Sequence, residues 1–108
     1  MNYNSRIVLV EDNVEVMGPE ALELIKLIDT QKSVGAAAAT LKISTARAWK
    51  YIRAIEKHLG ESAVVKNNRG TDNYTTHISP ACRAFVEKYE NFIKKNETAI
   101  AKNFEQIF

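Results

Sequence analysis

The chain has 108 residues, enough to bury one modest hydrophobic core but too few for a catalytic domain together with a separate sensor domain. Its apolar content of 45% and charged content of 26% are those of an ordinary soluble globular protein, which excludes a fibrous or largely disordered chain. The net charge of +2 is too small to identify a partner by itself, so its distribution along the chain matters more.

Positive charge is concentrated in the middle of the chain. Residues 1–31 carry a net charge of −4, residues 32–70 carry +6, and residues 71–108 are neutral. A local basic excess suits a polyanion such as nucleic acid, because each phosphate that is neutralised releases condensed counterions. An ordinary solvated surface of Lys and Arg is the alternative explanation.

The sequence argues against a membrane span, an internal disulfide and a metal site. The longest apolar runs, "IVLV" and "VGAAAATL", are too short for a membrane span, and no hydrophobic signal region follows "MNYNSR". The lone Cys82 cannot close an internal disulfide, and with His58 and His77 it offers no metal-binding spacing. We therefore expect a cytoplasmic protein without a membrane partner, a metal or any other cofactor.

Two helices are predicted in the first half of the chain. The stretch "MGPEALELIKLIDTQKS" places Pro19 at a first helical position, with Glu20 in the first turn and apolar residues at three-residue steps after it. Ser33 is then a good N-cap for a short alanine-rich helix, "VGAAAATL", against which another helix can pack closely. Both helices are expected to contribute to the core.

A third helix is predicted after a tight turn, "KIS". Ser44 is its N-cap, and the helix runs from Thr45 until Gly60 ends it, which completes a helix-turn-helix pattern. At about 100° per residue, apolar side chains share one arc of this helix and basic side chains share the opposite arc. The apolar arc holds Ala48, Tyr51, Ile52, Ile55 and Leu59, and the basic arc holds Arg47, Lys50, Arg53 and Lys57.

The basic arc predicts a face that binds nucleic acid. A solvated helix face would mix charges of both signs to gain i,i+4 pairs, whereas only Glu56 offers a partner here, to Arg53 or Lys57. Because the N-terminal end of a recognition helix reaches base edges, residues near the start of this helix are expected at the bases. Trp49 lies on the border of the two arcs and is expected to be a half-buried packing residue.

A β-hairpin is predicted after the third helix. In "SAVVKNNRGTDNYTTHIS", two β-prone runs, Ala63 to Lys66 and Tyr74 to Ile78, flank the polar turn "NNRGTDN", which is the pattern of a wing. An arginine at such a tip can enter a minor groove or bind phosphate, although many loop arginines are only soluble surface. The predicted DNA-binding residues of helix and wing together are Ser44, Thr45, Ala46, Arg47, Lys50, Arg53, Lys66 and Arg69.

The last predicted helix is long. It begins near Pro80 behind the cap Ser79 and can run to the C-terminus, over about 40 Å. One small domain cannot cover that length, and apolar residues recur every seven positions, so we expect residues 80–108 to pair two copies of the chain, while residues 1–79 bind DNA. The alternative is that the helix folds back over the first helix and an N-terminal hairpin of its own chain. The predicted dimerisation residues are Val86, Tyr89, Ile93, Ile100, Phe104 and Ile107.

Residues 18–89 resemble the N-terminal winged-helix domain of the ModE-type molybdate-responsive regulators and, more distantly, the LysR-type regulators. The matching stretches are "GPEALELIKLIDTQKSVGAAAATLKIS", "AWKYI", "IEKHLGESAVVK" and "ISPACRAFVEKY". The resemblance implies a mainly α fold with a little β structure: a winged helix-turn-helix with an N-terminal β-hairpin and a long C-terminal helix. "RIVLVEDNVEVM" can supply that hairpin, with Asp12-Asn13 at its turn.

The chain departs from the ModE pattern in two respects. Its wing has only Gly70 where the family commonly has a glycine-rich run, and the sequence ends at Phe108, soon after the long helix. Because the family's molybdate-binding domains lie beyond that point, we expect no molybdate binding.

These observations predict a transcriptional regulator that binds double-stranded DNA sequence-specifically, with residues 45–59 in the major groove and the wing, residues 66–74, on backbone or minor groove. A winged-helix module that binds proteins and not DNA is the alternative. Double-stranded RNA fits less well, because side chains cannot read its deep, narrow groove. We expect no enzyme, since the sequence has no GxxxxGK[ST], GxSxG or HExxH motif.

Overall fold

The computed structural model describes residues 1–68 and 74–108. Helices account for most of this part of the chain, and two small antiparallel sheets, β1-β2 and β3-β4, complete it. The elements are, in chain order, β1 (Leu9–Glu11), β2 (Val14–Met17), α1 (Pro19–Gln31), α2 (Val34–Leu41), α3 (Thr45–Leu59), β3 (Val64–Asn68), β4 (Tyr74–Ile78) and α4 (Pro80–Ile107). The expected winged helix-turn-helix with an N-terminal hairpin and a long last helix is confirmed.

The N-terminal hairpin turns where the resemblance placed it. Glu11 pairs with Val14, so the loop has two residues, Asp12 and Asn13, and their φ angles are 51° and 64°. Two consecutive left-handed residues make a turn whose twist matches that of the strands, and Asp and Asn tolerate this conformation better than other non-glycine residues.

Local signals set the ends of the helices. The hydroxyls of Ser33, Ser44 and Ser79 accept hydrogen bonds from the backbone N–H groups of Ala36, Arg47 and Cys82, respectively, at 3.0–3.1 Å. Each serine thereby satisfies one of the donors that a helix N-terminus leaves without an intrahelical partner. At the other end of α3, Gly60 has a φ of 72°, which glycine adopts without steric cost. All four predicted cap positions are confirmed.

The core lies where α1, α2 and α3 meet the start of α4. Its largest fully buried side chains are Met17, Leu24, Ile25, Ile28, Ile52, Ile55 and Cys82. Small residues fill the contact between the two helices of the helix-turn-helix, because Ala37 and Ala38 of α2 and Ala48 of α3 are all buried. The alanine-rich helix is therefore part of the core, as expected, and it brings α3 close enough to be held rigidly.

The wing is anchored at its base. Strands β3 and β4 pair from Val64 opposite Ile78 outward to Asn68 opposite Tyr74. The Thr76 N–H donates to the Lys32 carbonyl at 2.9 Å, which fixes β4 against the end of α1. Strand β3 extends two residues into the predicted turn, and the remaining turn residues, Arg69 and Gly70 among them, lie outside the described residues.

Helix α4 extends well beyond the core. Its 28 residues span about 42 Å, and the radius of gyration of 16.2 Å exceeds the roughly 13 Å of a compact domain of this length. Residues 1–8 run beside α4: the Tyr89 hydroxyl donates to the Ile7 carbonyl at 2.6 Å, and the Tyr3 ring lies 4.8 Å from the Phe104 ring. We expected that one small domain could not cover the length of this helix, but residues 1–8 of the same chain lie beside its far end. None of the described helices combines the length and apolar character that a membrane span requires.

Candidate nucleic-acid interface

Helix α3 separates a buried face from a charged one. Ala48, Ile52 and Ile55 are completely buried, whereas Lys50, Arg53 and Lys57 are exposed. These three basic residues, together with Ala46 at the start of the helix, fall within an arc of about 60°. We call Lys50, Arg53 and Lys57 the basic stripe. The predicted division of α3 into a core face and a basic face is confirmed by this burial.

The described part of the chain does not neutralise the charges of the basic stripe. Within residues 1–68 and 74–108, none of its three side chains takes part in an ion pair or a side-chain hydrogen bond. Glu56, the one carboxylate on α3, is used elsewhere: it accepts a hydrogen bond from the Ala63 N–H at 2.9 Å and so fixes the start of the wing. Three adjacent cations that lack a counter-charge among the described residues create a local positive potential that attracts an anion.

Arg47, the fourth basic residue of α3, has a different environment. It lies about 100° around the helix from Ala46. Its Nε donates to Glu20 Oε1 at 2.7 Å, its Nη2 lies 3.2 Å from the Tyr51 hydroxyl, and that hydroxyl donates to the same Glu20 oxygen at 2.6 Å. We call these three residues the Glu20 cluster. It joins the first turn of α1 to the first turns of α3.

The Glu20 cluster shifts the acid–base properties of all three members. The hydrogen bond from Tyr51, and then the contacts with Arg47, lower the pKa of the Glu20 carboxyl despite some burial. Burial is the main cause that raises the pKa of the Tyr51 hydroxyl, and bonding to Tyr51 and Glu20 raises that of the Arg47 guanidinium. At neutral pH the cluster therefore holds an ionised carboxylate, a neutral phenol and a guanidinium cation.

The other predicted residues of the interface are placed as follows. Ser44, Thr45 and Ala46 are exposed at the N-terminal end of α3, although the Ser44 hydroxyl is engaged as the cap. Lys66 is exposed on β3, opposite Thr76. Arg69 lies outside the described residues. Trp49 is half-buried and packs against the core, as expected.

Two further features of α3 were not predicted from the sequence. The first is the Glu20 cluster. The second is His58, whose Nδ1 lies 2.7 Å from Glu11 Oε2 and whose ring lies 4.9 Å from that of Phe85. His58 thus links the end of α3 to the hairpin and to α4. In both cases the partner is remote in sequence, so helical periodicity carries no signal for it.

The predicted dimerisation residues of α4 have unequal exposure. Val86 and Tyr89 are 7% and 2% exposed and belong to the core of their own chain. Ile93, Ile100 and Phe104 are half-buried, and Ile107 is 72% exposed. Only the part of the apolar stripe beyond Tyr89 is therefore open to a partner. Among the described residues, no three His, Cys, Asp or Glu side chains are grouped so that they could hold a metal ion.

Comparisons with known proteins show similarity of fold. No family model matches the chain, and no curated protein sequence matches it. Among solved structures, ArgP from Mycobacterium tuberculosis, a regulator of the LysR family, superposes with a TM-score of 0.53 at 17% sequence identity. The match covers 78% of this chain but only 30% of that one, so this chain corresponds to under a third of the length of ArgP. At this identity the likeness shows a LysR-like fold and no more.

Proposed function

We propose that this protein is a transcriptional regulator that binds double-stranded DNA sequence-specifically, with α3 in the major groove. The observation that carries the proposal is the basic stripe: three exposed cations on a rigid helix, with no counter-charge within the described residues. The LysR-like fold supports it, because ArgP, a solved structure with a similar fold, is a regulator. The same comparison gives no support to an enzymatic activity, and we propose none.

The N-terminal half of α3 is proposed to read bases. The major groove is about 12 Å wide and admits one helix, whose first turns reach the base edges. Thr45 and Ala46 are small enough to let the helix approach closely, and the Lys50 ammonium can donate to guanine O6 and N7. Arg53 and Lys57 are then proposed to lie where the helix leaves the groove, within reach of phosphates, and Ser44 to lie beside the bases at the N-terminal end.

The wing is proposed to bind the DNA beside α3. Lys66 is exposed on β3, and Arg69 follows three residues later in the sequence, so we propose that the wing brings positive charge to the DNA beside α3. Such residues contact backbone phosphate or enter an adjacent minor groove, and they add affinity with little sequence discrimination.

We also propose a homodimer formed through α4. The stripe beyond Tyr89 is made of the half-buried Ile93, Ile100 and Phe104 and the exposed Ile107, and it continues to the end of the helix. A two-fold dimer would present two copies of α3 to half-sites one turn of DNA apart. The ModE-like resemblance remains one of sequence motifs, and neither molybdate binding nor any other effector is part of the proposal.

Selection of random duplex DNA on the purified protein tests the proposal, followed by salt titration of the enriched site. We expect an enriched sequence with two-fold symmetry, and an affinity that falls linearly with salt on logarithmic axes. The Lys50→Ala, Arg53→Ala and Lys57→Ala variants should each weaken binding, whereas Lys95→Ala, on the exposed side of α4, serves as the charge-matched control. Recovery of no sequence, with equal and negligible binding of every duplex, would favour a protein-binding module instead.

A further inference from the structure

The Glu20 cluster sits at the edge of the proposed DNA interface. In the described part of the chain, Arg47 is the one Arg or Lys of α3 that is paired with a carboxylate. Its Nε donates to Glu20 Oε1, and its Nη2 donates to the Tyr51 hydroxyl of the same cluster. Residues at the edge of a recognition helix face the phosphates that border the groove, so Arg47 occupies a position from which phosphate could be bound. Glu20 Oε1 accepts two hydrogen bonds there, from Arg47 and Tyr51, as a phosphate oxygen would.

We propose that Glu20 substitutes for a DNA phosphate at Arg47 and so limits the affinity of the interface for DNA. The proposal rests on the proposed DNA binding. An arginine whose charge is neutralised by a carboxylate of its own chain displaces few condensed counterions from DNA. It must also break or share that ion pair before it can contact a phosphate. Arg47 then contributes little to binding, and removal of the Glu20 charge makes it available.

The geometry explains why this pair persists at an exposed position. Isolated surface ion pairs are weak, largely because two long side chains must be ordered for one contact. Here the third member restricts that freedom: Tyr51 is half-buried against the core, and the Arg47 guanidinium carbon lies 5.7 Å from the centre of its ring. Glu20 is fixed in turn by its place in the first turn of α1, where the helix dipole favours a negative charge.

The decisive measurement is the salt dependence of DNA binding by Glu20→Gln. We expect the slope of log affinity against log salt to become steeper by about 0.9, the value for one additional phosphate contact. Between about 50 and 200 mM salt, the variant should then lose about 3.5-fold more affinity than the unaltered chain. Its affinity at low salt should be several-fold higher, for the enriched site and a scrambled duplex alike.

Three variants separate this role from its alternatives. Glu23→Gln makes the same charge change on the same helix, at an exposed side chain without a partner in the described part of the chain, and it should leave the slope unchanged. Arg47→Ala should have little effect alone but should cancel the gain when combined with Glu20→Gln. Tyr51→Phe removes one of the two donors to Glu20 and should shift the slope part of the way, which tests the proposal even if Glu20→Gln folds poorly.

Each other outcome has a definite meaning. Weaker binding by Glu20→Gln, with lost preference for the enriched site, would show that Glu20 orients Arg47 toward a base, and it would overturn the proposal. An unchanged slope in that variant, or a slope shallower by about 0.9 in Arg47→Ala alone, would also overturn it. If the unaltered chain binds no DNA, the proposed function itself fails and this role of Glu20 fails with it.

Discussion

At the scale of single residues, what an α3 cation can do depends on where it lies around the helix. Lys50 lies one turn after Ala46 on the exposed arc, and no carboxylate of the described chain holds it. Arg47, only three residues earlier, lies toward α1 and is held by Glu20. The same charge on one helix therefore has two environments: a cation at Lys50 without a partner among the described residues, and a neutralised one at Arg47.

Lys50→Ala tests the proposed base contact. Loss of a side chain that donates to a base edge should cost about 1–3 kcal/mol at the enriched site and relax the sequence preference there. Loss of a phosphate contact would instead weaken all sequences about equally. Titration of the enriched and the scrambled duplex measures both effects, with Lys95→Ala as the control. If Lys50→Ala kept its full affinity and its full preference for the enriched site, Lys50 would not read bases.

The exposed and buried faces of α3 could be predicted from the sequence, because the helical period alone decides them. Ala48, Ile52 and Ile55 follow that period and are buried. The Glu20 cluster could not be predicted. Its members lie on two helices whose relative placement depends on how the whole helix-turn-helix packs, and no pattern within either helix encodes that placement.

At the scale of elements, short polar signals define where each helix begins and ends. Ser33, Ser44 and Ser79 cap α2, α3 and α4, and all three were predicted because a cap depends only on neighbouring residues. Strand β3 was less predictable. Asn67 and Asn68 have the composition of a turn, but backbone pairing with β4 extends the strand through them, so tertiary context overrides local preference.

The Ser44 cap supports both folding and the proposed interface. Ser44→Ala leaves the Arg47 N–H without its side-chain acceptor, and we expect a loss of about 1 kcal/mol in the free energy of unfolding. Urea denaturation followed by circular dichroism measures this loss. Ser62→Ala is the matched control, because Ser62 is exposed beyond the end of α3 and caps no helix of the described chain. Equal midpoints for both variants would show that the Ser44 hydroxyl does not stabilise α3.

At the scale of the whole molecule, the shape follows from the length of α4. The chain measures 60 × 28 × 23 Å, since the second half of α4 projects from the core with residues 1–8 beside it. The projection could be predicted from an apolar pattern longer than one domain can cover. The packing of Tyr3 on Phe104 could not, because "MNYNSR" has no periodicity and its partner lies at the opposite end of the chain.

Residues 1–8 cover only part of the far end of α4, so the case for a dimer rests on the side chains that stay exposed there. The Phe104 ring contacts the rings of Tyr3 and Phe108, yet Tyr3 remains 41% exposed, Ile107 72% and Phe108 78%. Leaving such side chains in water forgoes roughly 1.5–3 kcal/mol each relative to full burial. A second copy of α4 can bury them, whereas Val86 and Tyr89 are already covered by their own chain.

Substitution at the exposed end of α4 tests this assembly without truncating the fold. Ile107→Lys places a charge in the exposed stripe and should convert a dimer at micromolar concentration into a monomer. Gln106→Lys makes a comparable change about 100° around the helix, outside the stripe, and should leave the dimer intact. Sedimentation of both variants beside the unaltered chain gives the comparison.

Removal of residues 90–108 should then abolish dimerisation but leave the core in place. The shortened chain keeps Val86 and Tyr89, so we expect a folded or marginally stable monomer that binds a single half-site weakly. The full chain should bind a two-half-site operator about 10²- to 10⁴-fold more tightly, because contact with the second half-site becomes intramolecular. A full chain that sediments as a monomer, with DNA affinity unchanged by the truncation, would mean that the stripe serves only to pack residues 1–8. In that case α4 would be a support for the N-terminus of its own chain, and one copy of α3 would have to account for all DNA binding.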